Sequence, residues 1–205
     1  MKMKKILLFL LLLQSLTIYS QNADIYLLRK INLDRYERSD NAFIAISKSA
    51  RPFSIAAPIV VFGIGLVEKD KSTRQKGIMM GASFFVATAV STTLKYTINR
   101  VRPYDTYPDI QKLSVGGSPS FPSGHTSDAF SNATSLSLAF PKWYVIAPSY
   151  TYAAAVGYSR MHLGVHYPSD VIAGAVIGVG SAYLCYKAQK WISHKRRNKI
   201  ARIKN

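Results

Sequence analysis

Only one cysteine, Cys185, stands in the 205-residue chain, which excludes a disulfide-stapled scaffold and a cysteine-based zinc site. Acidic residues are scarce as well. Ten Asp and Glu face 27 Lys and Arg, for a formal net charge of +17. The sequence holds no HExxH pair, no Cys/His quartet, no acidic cluster and no Walker-type glycine loop, so no metal ligand set or cofactor motif is visible. Internal repeats and low-complexity segments are missing too. Disorder is excluded by composition, because 48% of the residues are hydrophobic and 12% aromatic, enough to bury a core. What remains is one basic domain. It either binds nucleic acid or sits in a membrane with its charge unevenly distributed, and the positions of the charges decide.

Lys2, Lys4 and Lys5 precede an apolar run over 6–13. This is the pattern of a signal peptide cleaved after Ser20, or of an uncleaved anchor running to about Tyr19. Residues 1–20 are set apart on that ground. Residues 21–52 form a polar lead-in, made partly amphipathic by Ile25, Leu27, Leu28, Ile31 and Leu33. It is either an interfacial helix or an ordinary packed surface helix. Uncharged stretches follow at 53–67, 77–94, 129–140, 143–158 and 171–186. Each falls short of the roughly 20 residues that cross a bilayer core, and flanking residues extend most of them. The stretch 129–140 carries Ser131, Asn132, Thr134, Ser135 and Ser137, which suits a helix shielded inside a bundle, where small polar residues permit close approach. Gly174 and Gly178 repeat that small-residue spacing. The expected fold is all-α: a polytopic membrane helix bundle with about five to six spanning helices. Its membrane domain covers 53–190 and a basic tail covers 191–205. A soluble helical protein with unusually apolar helices is the competing reading, given a mean hydropathy of +0.05.

Charge placement favours the membrane. Alternating the stretches across a bilayer puts 68–76, 141–142 and 187–205 on one side, with 13 Lys and Arg in 30 residues. The other side collects 20–52, 95–128 and 159–170, with 11 in 79 residues. The denser side is cytoplasmic by the positive-inside rule. Lys195, Arg196, Arg197 and Lys199 then read as a topology signal that touches anionic headgroups. A nucleic-acid patch is disfavoured, since the basic residues split across both faces.

Three polar clusters fall on the extracytoplasmic side. In the first, Lys95 and Arg102 are seven residues apart and share one helix face. Two cations so placed can grip an anion, and Pro103 stops the helix. Arg100 lies off that face and reads as a headgroup or solvent contact. In the second, Pro122-Ser123-Gly124-His125, Ser123 is a candidate N-cap and Gly124 allows a ligand near the backbone. The unpaired amides of the following helix attract phosphate. His125 is the protonatable group there. In the third, Asp170 follows His166 by four residues. It can hold one ring nitrogen and leave the other free as a nucleophile. Arg160 adds a planar phosphate grip. Two His, three cations and a helix N-terminus describe a metal-free phosphoryl-transfer site. His162 reads as a rim or packing residue.

These residues carry a resemblance. The sequence resembles the type 2 phosphatidic acid phosphatase superfamily, which includes bacterial acid phosphatases and vanadium haloperoxidases. The family signatures K-x6-R-P, P-S-G-H and S-R-x5-H-x3-D stand complete at Lys95 to Pro103, Pro122 to His125 and Ser159 to Asp170. The resemblance implies a membrane lipid phosphatase without cofactor, working through a phosphohistidine. His166 would be the nucleophile, Asp170 its orienting partner and His125 the acid and base. Lys95, Arg102, Ser123, Gly124 and Arg160 would bind the phosphoryl oxygens. Undecaprenyl diphosphate, phosphatidylglycerol phosphate, phosphatidic acid and a lipid A phosphate all remain candidate substrates. A phosphotransferase using the same site, a vanadate-dependent haloperoxidase and a non-catalytic membrane protein on the same fold are the alternatives.

Overall fold

The computed structural model describes residues 22–204; the signal or anchor expected over 1–20 lies outside them. Among the described residues the structure is helical, with no strand. Helix α1 covers 22–32. A 3-10 turn, Glu37–Ser39, leads into α2, Asp40–Val67, and α3 follows at Lys71–Ile98. A short α4, Pro103–Thr106, precedes an irregular segment that ends at α5, Gly124–Ala139. Then come α6, Trp143–His162, and α7, Pro168–Lys204. Helix α2 runs unbroken through Pro52 and Pro58, so the second half of the polar lead-in supplies its first three turns.

Local chemistry sets the helix ends. The Asp70 carboxylate accepts from the amides of Ser72 and Thr73 at 2.8 and 3.0 Å and starts α3. The Thr73 hydroxyl, which also donates to this carboxylate, and those two amides hold its pKa below the usual carboxylate range. At the other end Asn99 takes the left-handed conformation, φ 50°, and closes α3 after Ile98. Pro103 opens α4.

The most polar helix, α5, is the centre of the bundle. It packs on α2, α3, α6 and α7, and Thr126, Ser127, Ser131 and Ser135 on it are fully buried. The close approach expected of Gly174 and Gly178 is present. A Cβ on either would collide with a main-chain carbonyl of α5, that of Ser123 or of Ser127. Alanines and one valine seal the next layer, where Ala50, Ala129, Ala133, Ala153 and Val156 join α2, α5 and α6.

The outer surface is apolar. Ile59 is 63% exposed, Phe85 73% and Val176 66%, while Ser54 and Ser83 are buried. Water would not tolerate that distribution, but lipid does, because helices in a bilayer associate through small residues and not through apolar burial. The soluble reading fails on it, and the chain is an all-α membrane bundle. Three helical regions are long and apolar enough to cross a membrane by themselves: Glu37–Val67, Lys71–Thr106 and Pro168–Lys195. Helices α5 and α6 do not qualify by length and composition. The 16 residues of α5 reach only about 24 Å at 1.5 Å per residue.

Candidate active site

All three signatures meet at one end of the bundle, where α3 ends and α5 and α7 begin. Main-chain and side-chain hydrogen bonds tie them. Ser123 N donates to the Asp170 carbonyl at 3.0 Å, linking the second signature to the third. Arg102 Nη1 donates to the Val165 carbonyl at 2.8 Å, linking the first to the third. Gly124 lies beside Lys95, since a Cβ there would stand 3.8 Å from Lys95 Cε.

The cations are buried and braced by backbone. Lys95 Nζ donates to the carbonyls of Pro119 and Ser120 at 2.7 and 3.3 Å. Arg102 Nε donates to Ser118 O at 2.8 Å. Arg160, in the last turn of α6, bonds Ser47 of α2 through Nη1. Its Nε is buried with no partner among the described residues, an orphaned donor where an anion would satisfy it. The charges of Arg160, Arg51 and Arg102 all reach His125.

His166 sits in the short segment between α6 and α7 and is 1% exposed. Its Nδ1 lies 3.4 Å from Asp170 Oδ2. Oδ2 also accepts from Ser120 Oγ and, at 3.0 Å, from Tyr167 N. Burial pushes the His166 imidazole down to about 3, against the opposing pull of Asp170. The ring is therefore neutral at pH 7, the state in which a nitrogen lone pair is free. His125, second residue of α5, is half-buried, and its ring makes no hydrogen bond among the described residues. Around it the first amides of α5 lack intrahelical partners. Ser123 occupies the N-cap position, but its hydroxyl bonds Thr126 Oγ1 at 2.8 Å and does not cap the helix. It braces the first turn from the side.

Two sequence readings change. Lys95 and Arg102 do not share one helix face, and Pro103 does not stop α3: that helix closes at Asn99, and Arg102 lies in the extended turn before α4. Arg100 is not a headgroup or solvent contact. Its Nη1 donates to Asp170 Oδ1 at 2.7 Å and its Nη2 to Asp24 at 2.7 Å. The cause is the left-handed Asn99, which turns the chain back over the start of α7. His162 is a packing residue with a specific partner: buried, it pairs through Nε2 with Asp40 Oδ1 at 2.7 Å and stacks near Phe43. Sequence reasoning missed Ser47, Ser120 and Asp24 at the site. Each is a common polar residue, and no spacing marks it.

Among the described residues no group of three His, Cys, Asp or Glu is placed to hold a metal ion. The site is a cage of cations, amides and two imidazoles, suited to an oxyanion whose charge grows during reaction.

The chain is similar to known proteins over this region. The model of the PAP2 superfamily matches residues 76–193. An undecaprenyl-diphosphatase of Sulfolobus acidocaldarius is 31% identical over 165 residues, 78% of this chain and 76% of that one. The crystal structure of Aquifex aeolicus LpxE superposes with a TM-score of 0.69 at 27% identity, covering 80% of this chain and 95% of that one. A transmembrane PAP2-type phosphatidylglycerolphosphate phosphatase from Bacillus subtilis gives 0.68 at 28% identity, covering 86% and 87%. Since the matched region spans more than half of the chain and contains every residue of the three signatures, the protein belongs to the PAP2 superfamily and is a membrane phosphatase.

Proposed function

We propose that the protein hydrolyses a lipid phosphate, monoester or diphosphate, through a covalent phosphohistidine. The observation that carries this is the His166–Asp170 pair set among Lys95, Arg102 and Arg160. With Nδ1 held toward Asp170, His166 Nε2 attacks phosphorus in line. The bond to the leaving oxygen breaks, and that oxygen takes a proton from His125. A water then gives its proton to His125 and attacks the phosphorus. The P–N bond breaks, its electron pair returns to Nε2 and phosphate leaves. Asp170 offsets the positive charge on the ring between the two steps. Lys95, Arg102, Arg160 and the amides at Gly124 and His125 stabilise the phosphoryl oxygens, with Ser123 bracing that turn.

The lipid tail stays beside the apolar outer surface while the headgroup enters at the helix ends. The substrate class includes the lipids acted on by the relatives, undecaprenyl diphosphate and phosphatidylglycerol phosphate, together with phosphatidic acid and lipid A phosphates. The site faces the extracytoplasmic side and the carboxyl-terminal tail faces the cytoplasm. Supporting that orientation, the segments at the opposite end of the bundle, 68–76, 141–142 and 187–205, carry 13 Lys and Arg in 30 residues against 11 in 79 on the site side.

The test is phosphate release by purified protein in detergent, from a panel of lipid phosphates with EDTA present. Wild type should release phosphate and His166→Ala should not. Undiminished activity in His166→Ala rejects the nucleophile. A reporter fused after Asn205 should stay cytoplasmic, and a periplasmic signal rejects the orientation.

A further inference from the structure

Asp170 is the hub of a polar chain that runs away from the phosphate cage. Its Oδ2 serves His166, Ser120 and the Tyr167 amide, while Oδ1 takes Arg100 Nη1. The same Nη1 reaches Ser169 Oγ at 2.7 Å. Arg100 Nη2 reaches Asp24 Oδ2 at 2.7 Å, and the guanidinium carbon sits 3.8 Å from the centre of the Tyr167 ring. Asp24 closes the loop by accepting from Ser169 N at 2.8 Å and from Ser169 Oγ. Asp24 belongs to α1, outside the region that the family model matches.

Helix α1 is firmly docked there. Ile25 and Leu28 are buried against Ile110 and Tyr167. Asn32 Nδ2 donates to the His162 and Gln111 carbonyls at 2.8 and 3.1 Å. Arg29 Nε pairs with Asp109 at 2.7 Å.

We propose that Asp24 and Arg100 are positioning residues for the phosphatase reaction, acting as a relay behind Asp170 that makes α1 part of the catalytic apparatus. The inference rests on the reading of His166 as nucleophile. A carboxylate can turn about its last side-chain bond, and Arg100 fixes that angle by occupying Oδ1, so that Oδ2 points at His166. Arg100 alone would also neutralise Asp170 and weaken its support for the positive ring of the phosphohistidine. Asp24 removes that conflict. It balances Arg100, so the Asp24–Arg100 pair is neutral as a unit and the charge of Asp170 is left for His166. Neither residue bonds a group of the phosphate cage, so their loss should act on turnover and not on binding.

The experiment compares Arg100→Gln, Asp24→Asn, Arg100→Lys and the double variant Asp24→Asn/Arg100→Gln with wild type and His166→Ala, on one lipid phosphate in detergent. Arg100→Gln should lower kcat about 10- to 100-fold, as loss of an outer orienting partner does. KM and the inhibition constant of inorganic phosphate should hold. Arg100→Lys should recover part of the loss. Asp24→Asn should also lower kcat, and the double variant should be no worse than Arg100→Gln, because members of one relay are not additive. A rise in KM with kcat intact would make Arg100 a substrate contact and overturn the proposal. Unchanged kcat in both single variants, or losses that multiply in the double, would overturn it as well. An active His166→Ala would instead remove the nucleophile reading, a result separable from these. Thermal unfolding of each variant checks folding. If Arg100→Gln does not fold, the near-isosteric Asp24→Asn and Arg100→Lys carry the same test.

Discussion

Gly174 on α7 lies against the carbonyl oxygen of Ser123, with no room for a side chain between them. That contact places the start of α5, with its unpaired amides and His125, directly on the helix that carries Asp170. Gly174→Ala should therefore force the two helices apart. The expected cost is about 1–3 kcal/mol, as for overpacking elsewhere, with a loss of kcat from the displaced first turn. Gly180→Ala, on the same helix with nothing near its Cβ, should be neutral in both. Thermal unfolding in detergent and initial rates check the pair.

Replacing Arg160 by Lys keeps the charge but loses the guanidinium fork that reaches Ser47 with one nitrogen and leaves Nε for the substrate. The two residues are not interchangeable at such a site. Arg160→Lys should lower kcat/KM by about 100-fold or more, the scale for removing one oxyanion donor. It should also weaken inhibition by inorganic phosphate. Steady-state rates over a phosphate series measure both.

Acid should destabilise the fold through His166. Its imidazole titrates near 6.5 when unfolded and about 3 when folded, so between those values the unfolded chain binds the extra proton. Stability from this group is complete above about pH 6.5 and is lost as pH falls toward 3, at up to about 1.4 kcal/mol per pH unit. Asp170, Arg160, Arg102 and His125 surround the ring and share in the balance. Unfolding temperatures measured from pH 7 to 4 should fall less steeply in His166→Gln than in wild type. An identical slope would reject the assignment.

Asp40→Asn tests the second buried histidine pair. Asp40 accepts from His162 at 2.7 Å and from Arg35 Nε at 3.1 Å. Losing the charged acceptor should cost about 1–3 kcal/mol and leave kcat close to wild type, because His162 occupies a variable position of the third signature and packs away from the phosphate cage on Asp40 and Phe43. Thermal unfolding and turnover, measured together, separate the two effects.

Which residues gather at the candidate site was legible in the sequence, because phosphoryl transfer restricts residue type and spacing. The common helix face expected of Lys95 and Arg102 is absent, because α3 ends at Ile98 and Arg102 reaches the site from the extended turn before α4, and His166 meets Asp170 from the segment ahead of α7. Helix α5 was legible despite its polarity, since serines inside an otherwise apolar chain imply protein neighbours and not lipid. The relay behind Asp170 was not. Asp24 and Ser169 are 145 residues apart and Arg100 and Asp170 are 70 apart, and nothing local in an Asp or an Arg says which distant partner it meets. The Ser123 hydroxyl was misjudged for a related reason. It had a choice between the helix amides and Thr126, and sequence shows only that a choice exists. Spanning length was the other gap, because α5 is held by four neighbours and has no need to cross a bilayer by its own hydropathy.

The serine-lined interior and apolar exterior invert the usual map of tolerated change. On α5, where Ser127 and Ser131 face backbone of α7, the permitted substitution is set by size, and a leucine would do more harm than a polar residue of equal volume. On the outer faces at Ile59, Phe85 and Val176, volume matters little and a single charge is the damaging change. A mutational scan scored for retained phosphatase activity would thus penalise hydrophobicity inside and reward it outside, the reverse of the pattern a water-soluble enzyme would give.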